Sequence, residues 1–304
     1  MGTPSQGSLA SLCVEPGASA HTFDSSSEPY EILRETLTEK TEILDSNGIR
    51  GTRSRHSART RFGLNNVGGS IVFNPSPNDL DNWLPRILGA SESTDSFALA
   101  DTLPVFGVLI DRVAETFEYK DCSVNRAIFR GSPGQLIELE LDILAKSQAT
   151  GTSYPSLTLG TANVDQPFAF TDGAFTLAGS ARDTMSFELT IDNFLDARFV
   201  NSRNAGSITP QDRLISLRTT HPYTSDETDL LSQSLTGAAG TIVLTPTGGG
   251  MSGVSTTFTF GRLQNEDEDP TVPGKSEILL TLNMIARMTG STRELVVTHD
   301  PAAA

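Results

Sequence analysis

The chain carries one ten-residue pattern twice. IELELDILAK occupies residues 137–146 and ILLTLNMIAR residues 278–287. A shift of 141 positions sets Ile137 on Ile278, Leu139 on Leu280, Leu141 on Leu282, Asp142 on Asn283, Ala145 on Ala286 and Lys146 on Arg287. Apolar and polar residues alternate in the first copy, the period of a strand with one buried face. If that strand recurs with its order intact, its surroundings should recur too.

They do so in outline. Before the first copy, Ser70 to Phe73 is a β-rich run ended by Asn74-Pro75 and Ser76-Pro77, since proline disfavours helical geometry in the residue before it. Asn78 or Asp79 can then cap a helix whose Leu80, Trp83, Leu84, Ile87 and Leu88 form one apolar stripe. Pro85 kinks it and Gly89 ends it. Strands follow at SFALA, VFGVLIDRVAETFEYK, VNRAIFRG and QLIELELDILAK, with SPG as a hairpin turn between the last two. The second half repeats the order. LISLRTT is a strand, Thr224 or Ser225 caps a short helix through Leu230, Leu231 and Leu235, and Gly237 closes it. TIVLTPT, STTFTFGRL, the loop NEDEDPTVPGK and SEILLTLNMIARM complete the copy. Two copies of about 130 residues make a doubled domain rather than a solenoid.

The expected fold is mainly β: two tandem β-sandwich or barrel domains, each with a short flanking α-helix. The first spans residues 30–147 and the second 148–304. Residues 1–29 are rich in Ser, Gly and Pro and are expected to form a flexible N-terminal arm. Residues 30–44 read as helix by propensity and as strand by alternation.

Chemistry is sparse. The net charge is −15, so the chain should not adhere to nucleic acid without a local basic patch. Cys13 and Cys122 form no CxxC or Cys/His cluster and are expected to be free thiols. His21, His56, His221 and His299 are scattered, each read as an ordinary surface or loop residue. GGGMSG at 248–253 fits G-x-G-x-x-G, but β-branched VSTTFTF follows where a dinucleotide site needs a helix, so a flexible loop is expected. NEDEDP at 265–270 lacks the alternating ligands and glycine of a calcium loop and reads as a solvated acidic loop. No catalytic, cofactor-binding or metal site is expected. The N-terminus lacks the charge and apolar run of a signal peptide, and no stretch reaches the roughly eighteen apolar residues of a membrane helix. A soluble protein folded in a cytosol is expected.

One feature breaks the acidic pattern. Arg50, Arg53, Arg55, Arg59 and Arg61 lie within GIRGTRSRHSARTRFG. Planar guanidinium forks suit phosphate or an acidic surface on a neighbouring copy. The alternative is a solvated loop. No aromatic residues interleave the arginines as single-strand binders require, so docking between subunits is the favoured functional reading, ahead of nucleic acid.

The run EILDSNGIRGTRSR, then GGSIVFNPSPNDLDNWLPRILG, then LIDRVAETFEYKDCSVNRAIFRGSPGQLIELELDILAK resembles the tail tube (major tail) proteins of long, non-contractile-tailed bacteriophages of the siphophage type. The likeness covers residues 30 to 147, and the second half joins it through the repeat. The resemblance implies a non-catalytic structural virion protein that polymerises into stacked rings, a conduit for duplex DNA into the bacterial host. It implies homo-oligomers, tape measure, terminator and distal tail proteins as partners, no cofactor and no membrane. It also implies synthesis in the host cytoplasm and residence in the virion tail. A doubled chain implies trimeric rings with approximate sixfold symmetry, or hexameric rings if only the first half is a tube domain. The alternative function is a β-sandwich binding or adhesin module without catalytic activity.

Overall fold

In the computed structural model, the repeated strand runs Glu138–Ala145 in the first half and Leu279–Ala286 in the second, again separated by 141 positions. The structure describes residues 5–17, 21–159, 165–231, 237–246, 251, 253–265 and 269–300. The first half contains β1 (Ser11–Pro16), β2 (Glu28–Tyr30), β3 (Arg34–Glu35), β4 (Thr38–Asp45) and β5 (Thr60–Phe73). The helix α1 (Pro77–Leu88) follows, then β6 (Ser96–Ala98), β7 (Phe106–Asp111), β8 (Thr116–Gly131), β9 (Glu138–Ala145) and β10 (Ser147–Thr150). The second half contains β11 (Gly173–Leu177), β12 (Ser180–Arg182), β13 (Ser186–Asp192), β14 (Leu195–Arg198), β15 (Ser207–Pro210) and β16 (Leu214–Pro222). A 3-10 turn then leads into α2 (Thr228–Leu231), followed by β17 (Ala238–Leu244), β18 (Ser255–Asn265), β19 (Leu279–Ala286) and β20 (Val296–Asp300). The fold is mainly β, as expected.

Strand pairing repeats between the halves, and every ladder is antiparallel. In the first half β1 pairs with β2 and β7, β8 with β7, β9 and β10, and β5 with β9, β3 and β4. In the second half β11 pairs with β12 and β17, β18 with β17, β19 and β20, and β16 with β19 and β13. The correspondence is residue by residue. Phe73 faces Leu139, and 148 positions after Phe73, His221 faces Leu280.

Two further ladders join the halves, β8 with β13 and β20 with β6. β8 can serve both because it bends. Thr116 to Cys122 pairs with β7, the register shifts between Val124 and Arg126, and Arg126 to Gly131 pairs with β9 on one edge and β13 on the other. A bulge of this kind turns a strand from one layer into another. Asn193, buried just past β13, donates to Val124 O at 3.1 Å and to Ile87 O at 3.2 Å, pinning the bulge to α1. The buried apolar residues form one continuous cluster from Leu12 to Val297.

The helix cap differs from expectation. Ser76, not Asn78 or Asp79, is the N-cap, because Pro77 suits the first helical turn and starts the helix earlier. Ser76 Oγ accepts from the Asp79 N–H at 3.2 Å, and the Asp79 carboxylate accepts from the Ser76 N–H at 2.8 Å. The carboxylate half of the box recurs 148 positions later: the Glu227 carboxylate accepts from the Thr224 N–H at 3.0 Å and from its hydroxyl. Residues 30–44 resolve as strands, with Leu37 buried between β3 and β4.

The N-terminal arm is the largest correction. Residues 11–16 form β1, with Leu12, Cys13 and Val14 buried, and β2 places Tyr30 against Trp83 with ring centroids 5.4 Å apart. Low apolar density along 1–29 hid a strand whose three buried residues are consecutive. Buried Arg86 ties the segment down: it pairs with Glu28 at 2.8 Å, donates to Tyr30 Oη at 3.3 Å and lies over the Trp83 ring. The histidine reading is corrected for two positions. His56 is exposed and His21 lies in a loop with its side chain covered, but His221 in β16 and His299 in β20 are fully buried. His221 bonds Asp183 O and Thr219 Oγ1 at 2.9 and 2.8 Å, and His299 bonds Pro77 O and Thr256 Oγ1 at 3.0 and 2.7 Å. In each ring one nitrogen faces a carbonyl and the other a threonine hydroxyl that can donate to it, a set that satisfies a neutral imidazole.

Two outcomes follow from this packing. Arg86→Ala leaves Glu28 without its cation and should cost about 3 kcal/mol in urea unfolding. Burial lowers the His221 and His299 pKa below the ordinary histidine value. The unfolded chain therefore binds more protons below about pH 6.5. The histidine contribution is present above that pH and lost as pH falls through it. The His221→Gln/His299→Gln chain should show a flatter melting profile between pH 7 and pH 5.

Candidate assembly interface

The arginine cluster sits on the hairpin that joins β4 to β5. Near the body the hairpin is ordinary ladder, with Lys40 facing Asn66 and Thr41 facing Asn65. A register shift follows between Thr41 and Ile43, and beyond it Ile43 faces Phe62 and Asp45 faces Thr60. Past that shift, apolar residues point outward. Ile43 is 69 % exposed, Leu44 50 %, Phe62 68 % and Ile49 fully exposed. Exposed apolar residues on a strand pair that leaves the body mark a contact surface rather than a core.

Arg53, Arg55, Arg59 and Arg61 are all exposed on this hairpin. Arg55 pairs with Asp45 at 2.9 Å, a surface contact that contributes little. Arg50 folds back on the turn, donating to Gly48 O at 3.3 Å and to Ser46 O. The five expected residues thus share one arm, and Arg50 serves the arm's own turn. The exposed apolar partners were missed by sequence reading. Their signal was Ile43, Leu44 and Ile49 flanking the Asn47-Gly48 turn on both sides.

A second hairpin, β14–β15, occupies the corresponding place in the second half. Leu195 faces Pro210 where Ile43 faces Phe62, and Ala197 faces Ile208 where Asp45 faces Thr60. Its tip folds onto the first half. Arg203 Nε donates to Gly63 O at 3.0 Å and Nη2 to Asn65 Oδ1 at 3.1 Å, while the guanidinium lies 5.2 Å from the Phe62 ring centre. The Asn65 N–H donates to Arg203 O at 2.8 Å, and Asn65 Nδ2 to Asn204 Oδ1 at 2.6 Å.

Elsewhere the chain offers little chemistry. Among the described residues, no group of three or more His, Cys, Asp or Glu side chains is placed to hold a metal ion. Cys13 and Cys122 are buried free thiols, and burial pushes the Cys13 pKa up to about 12. GGGMSG and NEDEDP lie partly outside the described residues.

A β chain with a projecting arm and two like halves suggests a self-associating structural protein, and residues 3–286 match the family model described as phage tail tube protein. The chain belongs to the phage tail tube protein family. No curated protein matches it. A tail tube protein is a structural component of the phage tail, from a family that is generally non-catalytic. Among the described residues, no helix of this tail tube protein is long and apolar enough to cross a membrane.

The arm's arginines contribute little to the isolated subunit. Arg53→Ala/Arg55→Ala/Arg59→Ala should change its unfolding free energy by no more than about 0.5 kcal/mol per site, measured in urea.

Proposed function

We propose that this chain polymerises into the tail tube through which duplex DNA passes, and that each chain supplies two tube domains. The observation that carries the reading is the repeated pairing scheme together with one asymmetry. β13 has partners on both edges, β8 and β16. Its counterpart β3–β4 pairs with β5 alone among the described residues. An open edge on a long sheet is a site for pairing with another chain. A sheet that continues from one half to the next inside a chain can continue in the same sense between chains. Repeating that step closes a ring, since heterologous contacts close when the rotation allows it. Three doubled chains then stand where six single-domain chains would, with true threefold and approximate sixfold symmetry.

The −15 net charge fits a conduit, because a bore lined with carboxylates repels phosphate and lets DNA slide. The exposed arm supplies subunit contacts. Tape measure, terminator and distal tail proteins are the further partners of such a tube, and the host cytoplasm is the site of its synthesis.

A cryo-EM reconstruction of the assembled tube decides the stoichiometry. Three chains per ring, each placing both halves on the inner wall, is the expected result; six chains with the second half outside rejects it. Assembled tubes should not retard duplex DNA in a gel at physiological salt. A tight, salt-sensitive complex would count against the conduit.

A further inference from the structure

The contact between the second hairpin and the first half is built from equivalent parts that also exist in the opposite combination. The entering strands of the two hairpins correspond at a shift of 152 positions and the returning strands at 148, as the facing pairs Ile43–Phe62 and Leu195–Pro210 show. The tip 199–206 therefore corresponds to 47–58. Its receptor residues Phe62, Gly63 and Asn65 correspond to Pro210, Gln211 and Arg213. Within one chain the second tip occupies the first receptor. The first tip and the second receptor are left over, the tip at the β4 edge of the first half and the receptor leading into β16 of the second.

We infer that the arginine-bearing tip of one copy docks on the 210–213 surface of a second copy. This rests on the reading that copies of the chain assemble. The chemistry of the two unused parts is complementary. Tip 47–58 carries Arg50, Arg53 and Arg55 and no carboxylate. The receptor is a groove lined by Asp101, Pro210, Gln211, Asp212, Arg213 and Glu294. Arg213 is already engaged, donating to Ala100 O at 2.9 Å and contacting Glu294 at 3.5 Å. Asp212 is exposed, and the Asp101 side chain, bound by Arg293 through both carboxylate oxygens at 2.6 and 3.1 Å, is still 82 % exposed. The groove presents more negative than positive charge to an incoming arm. In the internal contact one arginine reaches a backbone carbonyl and an amide oxygen over an aromatic ring. In the external contact several arginines meet carboxylates, a charge-assisted version of the same docking. The second copy is favoured over any other partner because the internal contact is a worked instance of the same pair of elements.

The test uses the full chain with Arg53→Cys and Asp212→Cys together, treated with a short bismaleimide. The native thiols are buried and stay unreacted. Assembled tubes should yield covalent dimers and trimers on a denaturing gel, dispersed subunits should yield none, and either single variant should yield none. Tubes that form normally and give no inter-chain product overturn the docking and leave the tube reading standing. Inter-chain product from the Arg53→Cys chain alone also overturns it, since the arm would then meet another arm. If the parent chain forms no tubes or rings, the tube reading fails and the docking falls with it.

Discussion

The β8–β13 ladder is the contact on which the rest of the molecule depends. It turns two like halves into one sheet, and it does so because β8 changes partners partway along its length. Up to Cys122 β8 belongs to the layer of β7 and β10; from Ser123 it pairs with β9, and past the bulge it sits between β9 and β13. Arg130 marks the seam, paired with Glu188 across it at 2.9 Å and with Glu140 on the near side at 2.5 Å. Asn193 then locks the bulge against α1. The continuity of β5, β9, β8, β13 and β16 follows from this change of partner.

That geometry explains why a chain of a generally non-catalytic family still carries specific polar contacts. Most of the named polar side chains serve connections between segments far apart in sequence. Arg86 holds β2 to α1, His299 ties β20 to the first turn of α1, and Arg203 holds the second hairpin to β5. Buried polar groups such as Arg86 and His299 are costly unless partnered, so each specifies one arrangement against alternatives. For a subunit that assembles, a uniquely defined outline matters more than a reactive site.

The two hairpins show how like halves come to play different parts. Equal arms do not meet equal environments. The second arm finds its receptor inside the chain and becomes part of the folded unit. The first arm finds none there among the described residues, keeps Ile43, Leu44 and Phe62 exposed, and carries five of the chain's 22 basic residues. Exposed apolar area on such an arm favours a contact that covers it.

Much of this was legible in the sequence. The period-two alternation of IELELDILAK, the Pro–cap–helix–Gly punctuation and their recurrence fixed the strands, α1 and the like order of the halves, because these are local signals set by side-chain direction and backbone sterics. The arginine cluster was visible as local charge. The tertiary structure alone decided that residues 11–16 enter the core, since three consecutive buried residues between two strands leave no alternation to read. It alone decided that His221 and His299 are buried, because their partners lie on other segments. It alone decided which hairpin is spent within the chain and which remains free. That choice depends on which sheet edge each arm overhangs, a property of strand order in space that no stretch of sequence carries by itself.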